Sequence, residues 1–379
     1  MKYGLINVFH GAFSLRAMNK IMKQSKLRQI TLLVLITIGF SFTAQLNVKA
    51  ADGDLDTSFV SRLFGGIQQG TGVDISTAQS VALQPDGKML VGGTFTSFAS
   101  RSQRGIARLN ADGSPDYAFF PSLNGDVRAV ALQADGKILI GGDFTIVSGQ
   151  PRVRVARLNA DGSLDAAFQN PNANNTVYVI TLQPDGRVLI GGRFDAVGGQ
   201  QRLSLARINA DGSLDTTFGN PPISSVSTVY AITLQADGRI LVGGNIFVGS
   251  QSSYFGRLNA NGTLDTTFQG YANDRVFKIK IQADGKILIG GSFTRVGPSN
   301  NRFDRKTLAR LNADGTVDPS LGDIGTTVSF FSVYDFVTLP SGRIIIGGSP
   351  GFFAPRPGLA RLESDGTIDL TFDAKIGGT

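Results

Sequence analysis

The apolar residues of this chain fall in short runs broken by glycine-containing turns. Nowhere after residue 50 do they keep the 3.6-residue period of a helix. Two sequences alternate. One reads VALQPDGKMLVGGTF from Val81, VALQADGKILIGGDF from Val130, ITLQPDGRVLIGGRF from Ile180, ITLQADGRILVGGNI from Ile232, IKIQADGKILIGGSF from Ile279 and VTLPSGRIIIGGSP from Val337. The other reads IARLNADGSPDYAF from Ile106, VARLNADGSLDAAF from Val155, LARINADGSLDTTF from Leu205, FGRLNANGTLDTTF from Phe255, LARLNADGTVDPSL from Leu308 and LARLESDGTIDLTF from Leu359. The first residues of the paired glycines, Gly92, Gly141, Gly191, Gly243, Gly290 and Gly347, step by 49, 50, 52, 47 and 57 residues.

Each repeat predicts four short β segments. In the third, segment a is VYVITLQ from Val177, and PDG turns it into segment b, RVLIGGRF from Arg187. A loop leads to segment c, LSLARIN from Leu203, and ADG turns it into segment d, SLDTTF from Ser213. Segment b carries consecutive apolar residues, such as Val188, Leu189 and Ile190. A half-exposed strand would alternate, so both faces of b are covered. Small sheets arranged radially, each sandwiched by its neighbours, supply that environment. About 50 residues and four strands per unit is the size of a propeller blade. The expected fold is therefore an all-β propeller of six four-stranded blades. There are six copies of a, b and c but seven of d, since Asp56–Phe59 adds one. A seventh, incomplete blade is the alternative.

The alternation of LQPDGKMLVGG-type and ARLNADGSLDTTF-type stretches resembles the bacterial delta-60 repeat. That resemblance spans nearly all of residues 51–379 and implies a β-propeller in an exported protein. It implies no particular activity, and propellers host enzymes, lectins and scaffolds alike.

Charge changes the picture at the N-terminus. The chain is formally +7. Residues 1–50 hold seven basic residues and no acidic one, which leaves 29 basic against 29 acidic in the rest. The basic character belongs to a leader. Lys20 to Arg28 precede an apolar run from Ile30 to Ala44, and Val48 and Ala50 stand where a signal peptidase looks for small residues. We expect a signal peptide starting at Met18 or Met22 and cut after Ala50, leaving a monomeric propeller outside the cytoplasm: extracellular, at the cell surface or in the periplasm. A short membrane anchor is the competing reading, although 15 apolar residues fall short of the ~20 a spanning helix needs.

Composition narrows the chemistry. Cysteine is absent, and the only histidine, His10, lies in the leader. That removes disulfides, His-based acid–base catalysis, Cys nucleophiles and zinc sites built on N or S ligands. The Asn-x-Asp-Gly-x-x-Asp stretches, Asn209 to Asp215 for example, offer hard oxygen ligands, so a calcium-stabilised propeller is one reading. An EF-hand loop needs a bidentate Glu after this stretch, and Glu363 is the sole glutamate. Asp-Gly is also the strongest short hairpin signal, and it recurs between a and b where no ligand cluster exists. The turn reading is preferred, with no cofactor required.

Three groups of side chains remain. Each segment c carries an Arg matched, eight residues on, by a d-segment Asp: Arg108 with Asp116, Arg157 with Asp165, Arg207 with Asp215, Arg257 with Asp265, Arg310 with Asp318 and Arg361 with Asp369. Across a tight hairpin these face one another as structural pairs, or else the arginines ring the axis. The b–c loops carry Arg101, Arg104, Arg152, Arg154, Arg202, Arg295, Arg302, Arg305, Lys306 and Arg356 against only Asp195 and Asp304. This makes one rim a candidate basic face for an acidic polysaccharide or a protein partner. The sixth loop also places Phe352 and Phe353 beside Arg356. Nucleic acid is not expected, because the protein is expected to be exported and most of these loops lack aromatic–basic interleaving. The Asp residues outside the repeat pattern, Asp126, Asp143, Asp195, Asp274, Asp304, Asp323 and Asp335, leave open a glycan-active enzyme working with paired carboxylates. A non-catalytic binding propeller is the leading expectation. The leader is tested by mass spectrometry of the exported protein, with a mature N-terminus at Ala51 as the expected result.

Overall fold

The computed structural model describes residues 78–99, 101–248, 253–298, 301–326, 330–350 and 358–372. The leader, the extra d copy at Asp56–Phe59, Phe352, Phe353 and Arg356 lie outside the described residues. Among the described residues the only helical element is a short 3-10 turn, Ile324–Thr326, and no helix is long and apolar enough to cross a membrane.

Six antiparallel sheets follow one another, each with the order a-b-c. Their strands are Ala78–Leu83, Met89–Gly93 and Ile106–Leu109 in blade 1, and Val127–Leu132, Ile138–Gly142 and Val155–Leu158 in blade 2. Blade 3 has Val177–Leu182, Val188–Gly192 and Leu205–Ile208. Blade 4 has Thr228–Leu234, Ile240–Val248 and Ser253–Leu258. Blade 5 has Val276–Ile281, Ile287–Gly291 and Leu308–Leu311, and blade 6 has Phe330–Thr338, Ile344–Pro350 and Leu359–Leu362. From blade 1 to blade 6, strand a of each blade packs on strand a of the next. Strand a therefore lines the axis.

Strand b is pinned on both sides: Ile190 pairs with Ile180 of strand a and with Ala206 of strand c. Its alternating side chains serve two interfaces. Val188 and Ile190 pack with blade 2, through Ala129, Leu139 and Val155. Leu189 packs with blade 4, through Val229, Ile232 and Val242. The core is thus a series of inter-blade layers, which is why b reads as a continuous apolar run.

The fourth segment departs from expectation. Instead of a full strand, d touches c through a single bridge, Ile208 to Leu214 in blade 3, with the same contact in every blade. The reason is local. Only two residues separate the turn glycine from Asp215, whose carboxylate accepts the Thr217 amide and whose carbonyl accepts the Phe218 amide, so the chain turns again at once. The b–c connection instead folds into a two-residue ribbon, as in Ala196–Val197 with Gln200–Gln201. A bridge from the d–a loop, Ala173 to Val197, ties that ribbon down.

The second glycine of each pair permits the inner strand's bulge. A Cβ on Gly192 would lie 2.1 Å from the Thr176 carbonyl oxygen. Gly192→Ala is expected to cost about 2–3 kcal/mol. Gly149→Ala, where a Cβ meets nothing within 4 Å but φ is +76°, is expected to cost only the ~1–2 kcal/mol of left-handed strain. Urea unfolding of the two variants measures the difference.

Candidate functional site

The antiparallel order puts the a–b and c–d turns on one face of the array and the b–c and d–a loops on the other. On the turn face the Asx stretches act as turns. Gly212 has φ of +93° and its amide donates to the Asn209 carbonyl. Asp211 Oδ1 accepts the Ser213 amide at 2.9 Å and its hydroxyl at 2.6 Å. Asp215 points elsewhere, to Arg207. Among the described residues no cluster of three or more His, Cys, Asp or Glu side chains forms a potential metal site.

All six c-strand arginines bond their d-segment aspartates through Nε, at 2.7–2.9 Å. Five of them also reach forward to the next blade. Arg108 donates to the carbonyl of Ala160, Arg157 to Ala210 at 2.6 Å, Arg207 to Ala260 at 2.7 Å, Arg257 to Ala313 at 2.6 Å and Arg310 to Ser364 at 3.0 Å. The guanidinium also lies over the d-segment phenylalanine, 4.7 Å from the Phe218 centroid in blade 3. A second cation from the start of strand b completes the cluster in blades 1 to 5: Lys88, Lys137, Arg187, Arg239 and Lys286 lie 2.9–3.6 Å from the same carboxylates. Sequence reasoning missed these five. Their signal is the basic residue after each Asp-Gly. In blade 6 the equivalent Arg343 pairs with Glu363 at 3.1 Å. Burial works to raise the Asp215 carboxyl, but hydrogen bonds from Thr217 and Arg207 outweigh it and hold the group down at about 2, from an ordinary 3.8.

On the loop face the structure sorts the expected basic residues. Arg104 is 3.1 Å from Asp126, and Arg154 donates to the Asp143 carbonyl. Arg152, Arg202 and Arg305 each donate Nη1 to the carbonyl of the preceding residue, at 2.7–2.8 Å, with Nε buried and unbonded. Arg101 lies 4.3 Å from the Tyr117 ring centroid and Arg302 lies 4.3 Å from that of Tyr271. Arg295 and Lys306 are exposed with no carboxylate in ion-pair range among the described residues.

The mouth of the axis on this face is asymmetric. The second residue of each inner strand's common core is Gln79, Arg128, Tyr178, Tyr230, Phe277 and Tyr334 in blade order. The last four form a ladder, with centroids 5.5 Å apart for Tyr178 and Tyr230, 5.7 Å for Tyr230 and Phe277, and 5.2 Å for Phe277 and Tyr334. The other side is polar. Arg128 bonds Asp143 at 2.8 Å, Asp126 at 3.4 Å and Gln79 at 3.0 Å. Asp126 and Asp143 are thus brought together, but around a shared cation. Arg193 and Arg275, both exposed and without a carboxylate partner among the described residues, lie near enough to Tyr230 for their charges to act on its phenol. Burial, and then Tyr178, hold the Tyr230 phenol above its ordinary value, against a smaller opposing pull from Thr228 and both guanidiniums. One residue further along the strands, Lys278 and Asp335 form a buried pair at 2.8 Å. Burial raises the Asp335 carboxyl while Lys278 opposes it. The remaining non-repeat carboxylates serve locally. Asp195 accepts from Asn174, Asp274 from the Arg275 amide, and Asp323 from the Lys306 and Gly325 amides, while Asp304 is exposed.

A family model described as a domain of unknown function (DUF5122) beta-propeller matches residues 84–119, 133–168, 183–218, 235–268, 282–321 and 339–372, more than half of the chain. The chain belongs to the DUF5122 β-propeller family. Each matched DUF5122 segment begins just after strand a and runs through b, c and d, so the aromatic ladder lies between the matches. Among curated proteins none matches the chain. Similar solved structures include a protein of unknown function from Bacteroides caccae, 17% identical over 72% of this chain and 92% of that one, TM-score 0.38. Another is the extracellular domain of a putative hybrid two-component system from B. thetaiotaomicron, 14% identical over 80% of this chain and 42% of that one, TM-score 0.41. A third is YCF48 bound to a D1 peptide, 11% identical over 78% and 82%, TM-score 0.46.

Asp215 is 4% exposed and bonded to the 6%-exposed Arg207. Asp215→Asn leaves two cations facing a neutral amide and is expected to cost about 3–5 kcal/mol, measured by thermal and urea unfolding. The sign with pH follows from the depressed pKa. The carboxylate's contribution is complete above about 3.8 and is lost as the pH falls through about 2. Wild-type stability should therefore drop across that window, and the variant's drop should be shallower.

Proposed function

We propose that the protein is an exported, non-catalytic binding propeller whose loop face captures an acidic polysaccharide. The observation that carries this reading is the uneven pairing of cations. On the turn face the basic residues that open strand b are all bonded to carboxylates. On the loop face Arg193, Arg275, Arg295, Arg302 and Lys306 face solvent with none in range among the described residues. A strong positive field on one face of a chain that is neutral beyond its leader favours an extended anion over a neutral ligand. Export rests on the leader sequence and on the delta-60 character of the repeats. In support of a non-catalytic role, Asp126 and Asp143 are held by Arg128, and Asp335 by Lys278.

The test is thermal unfolding with acidic and neutral polysaccharides at low and high salt. Stabilisation by the acidic ones, weakened by salt and abolished by Arg295→Glu with Arg302→Glu, is expected. Stabilisation by neutral glycans alone overturns the reading, as does turnover of the glycan.

A further inference from the structure

Three of the four ladder rings, Tyr178, Tyr230 and Tyr334, are half-buried at the loop-face end of their strands, while the residues next along the strand are buried. The following positions, Val179 and Ala231, are aliphatic and buried in the inter-blade layers. Across the mouth the wall changes character to Gln79 and the Arg128–Asp143–Asp126 network. One side of the opening is therefore aromatic, its rings tilted 43–66° to one another, and the other is a rim of hydrogen-bonding groups. A pyranose ring has the same division, with a face of C–H groups and an edge of hydroxyls, and aromatic side chains with polar neighbours are suited to it. Charge adds a third element. Arg128 is bonded to two carboxylates, whereas Arg193 and Arg275, near Tyr230, have none among the described residues. A guanidinium left open in this way fits a ligand carboxylate through its two-pronged N–H geometry.

We infer that the axial mouth bounded by Tyr178, Tyr230, Phe277, Tyr334, Arg193 and Arg275 is a binding site for a uronic acid unit, the sugar face on the ladder and the carboxylate on the arginines. The inference rests on the acidic-polysaccharide reading and gives it a location. One sugar unit enters the mouth, and the rest of the chain crosses the loop face toward Arg295 and Arg302. The site owes nothing to the repeat. The six positions that share the ring are not alike, being Gln or Arg in blades 1 and 2 and Tyr or Phe in blades 3 to 6.

The test is titration calorimetry of the full chain with tetragalacturonic acid and with its methyl ester, which keeps the sugar rings and removes the charge. Arg193→Gln, Arg275→Gln and Tyr230→Ala should each raise the Kd for the acid about tenfold, the size of a central contact at an interface. Tyr230→Phe should keep wild-type affinity, and Arg302→Gln should change it less than about threefold. Arg193 and Arg275 are exposed, so their variants will fold, and an unchanged melting temperature verifies this. If the acid binds but only Arg302→Gln weakens it, the ligand sits on the rim. The inference then fails while the wider reading stands. Equal binding of the methyl ester removes the carboxylate role and overturns the inference. Binding of neither saccharide overturns both.

Discussion

One guanidinium with several partners sets the architecture. In blade 3 Arg207 uses Nε to fix Asp215, Nη1 to take the Ala260 carbonyl of the next blade, and its flat face to cover Phe218. The group is rigid, planar and always charged, so meeting these partners fixes the c–d hairpin and the blade-to-blade distance together. A lysine could satisfy the carboxylate but not the carbonyl and the ring at the same time. Burial of such a group is tolerable only when every N–H finds an acceptor. The aspartate in turn orders the segment after it through the Thr217 amide and hydroxyl. The outer rim of each blade is therefore held by polar bonds, while the inter-blade layers are held by apolar burial.

Much of this was legible in the chain. The continuous apolar run in b demanded cover on both faces, and Leu189 and Ile190 do face different neighbours. Asp-Gly named the turns, and the constant eight-residue offset placed Arg207 across from Asp215. The extent of d was not legible. SLDTTF has the composition of a strand, and nothing in it announces that Asp215 bends the backbone at once. The second cation on that carboxylate was also hidden, because Arg187 lies 28 residues away and meets Asp215 only once a, b and c are aligned.

The site was harder to see for a physical reason. VYVITLQ was recognisable as a strand, but the bulge between Val177 and Val179 decides which way Tyr178 points, and strand alternation cannot supply that. Counting loop arginines also could not show how their side chains are held. Arg152, Arg202 and Arg305 fold back on the preceding carbonyl, whereas Arg193 and Arg275, outside the counted set, stay open. Repetition accounts for the scaffold, and departures from it mark the mouth.

The forward bond of five c-strand arginines ends on a main-chain oxygen, not on a side chain. Ala160, Ala210, Ala260 and Ala313 serve as acceptors, and Ser364 does equally well. Because any residue in that turn presents the same atom, this bond does not depend on the neighbour's side chain. A gene encoding such units can gain, lose or exchange one by unequal recombination and still produce seams that fit. Lineages are then free to alter the axial ring while the joints between units go on working unchanged.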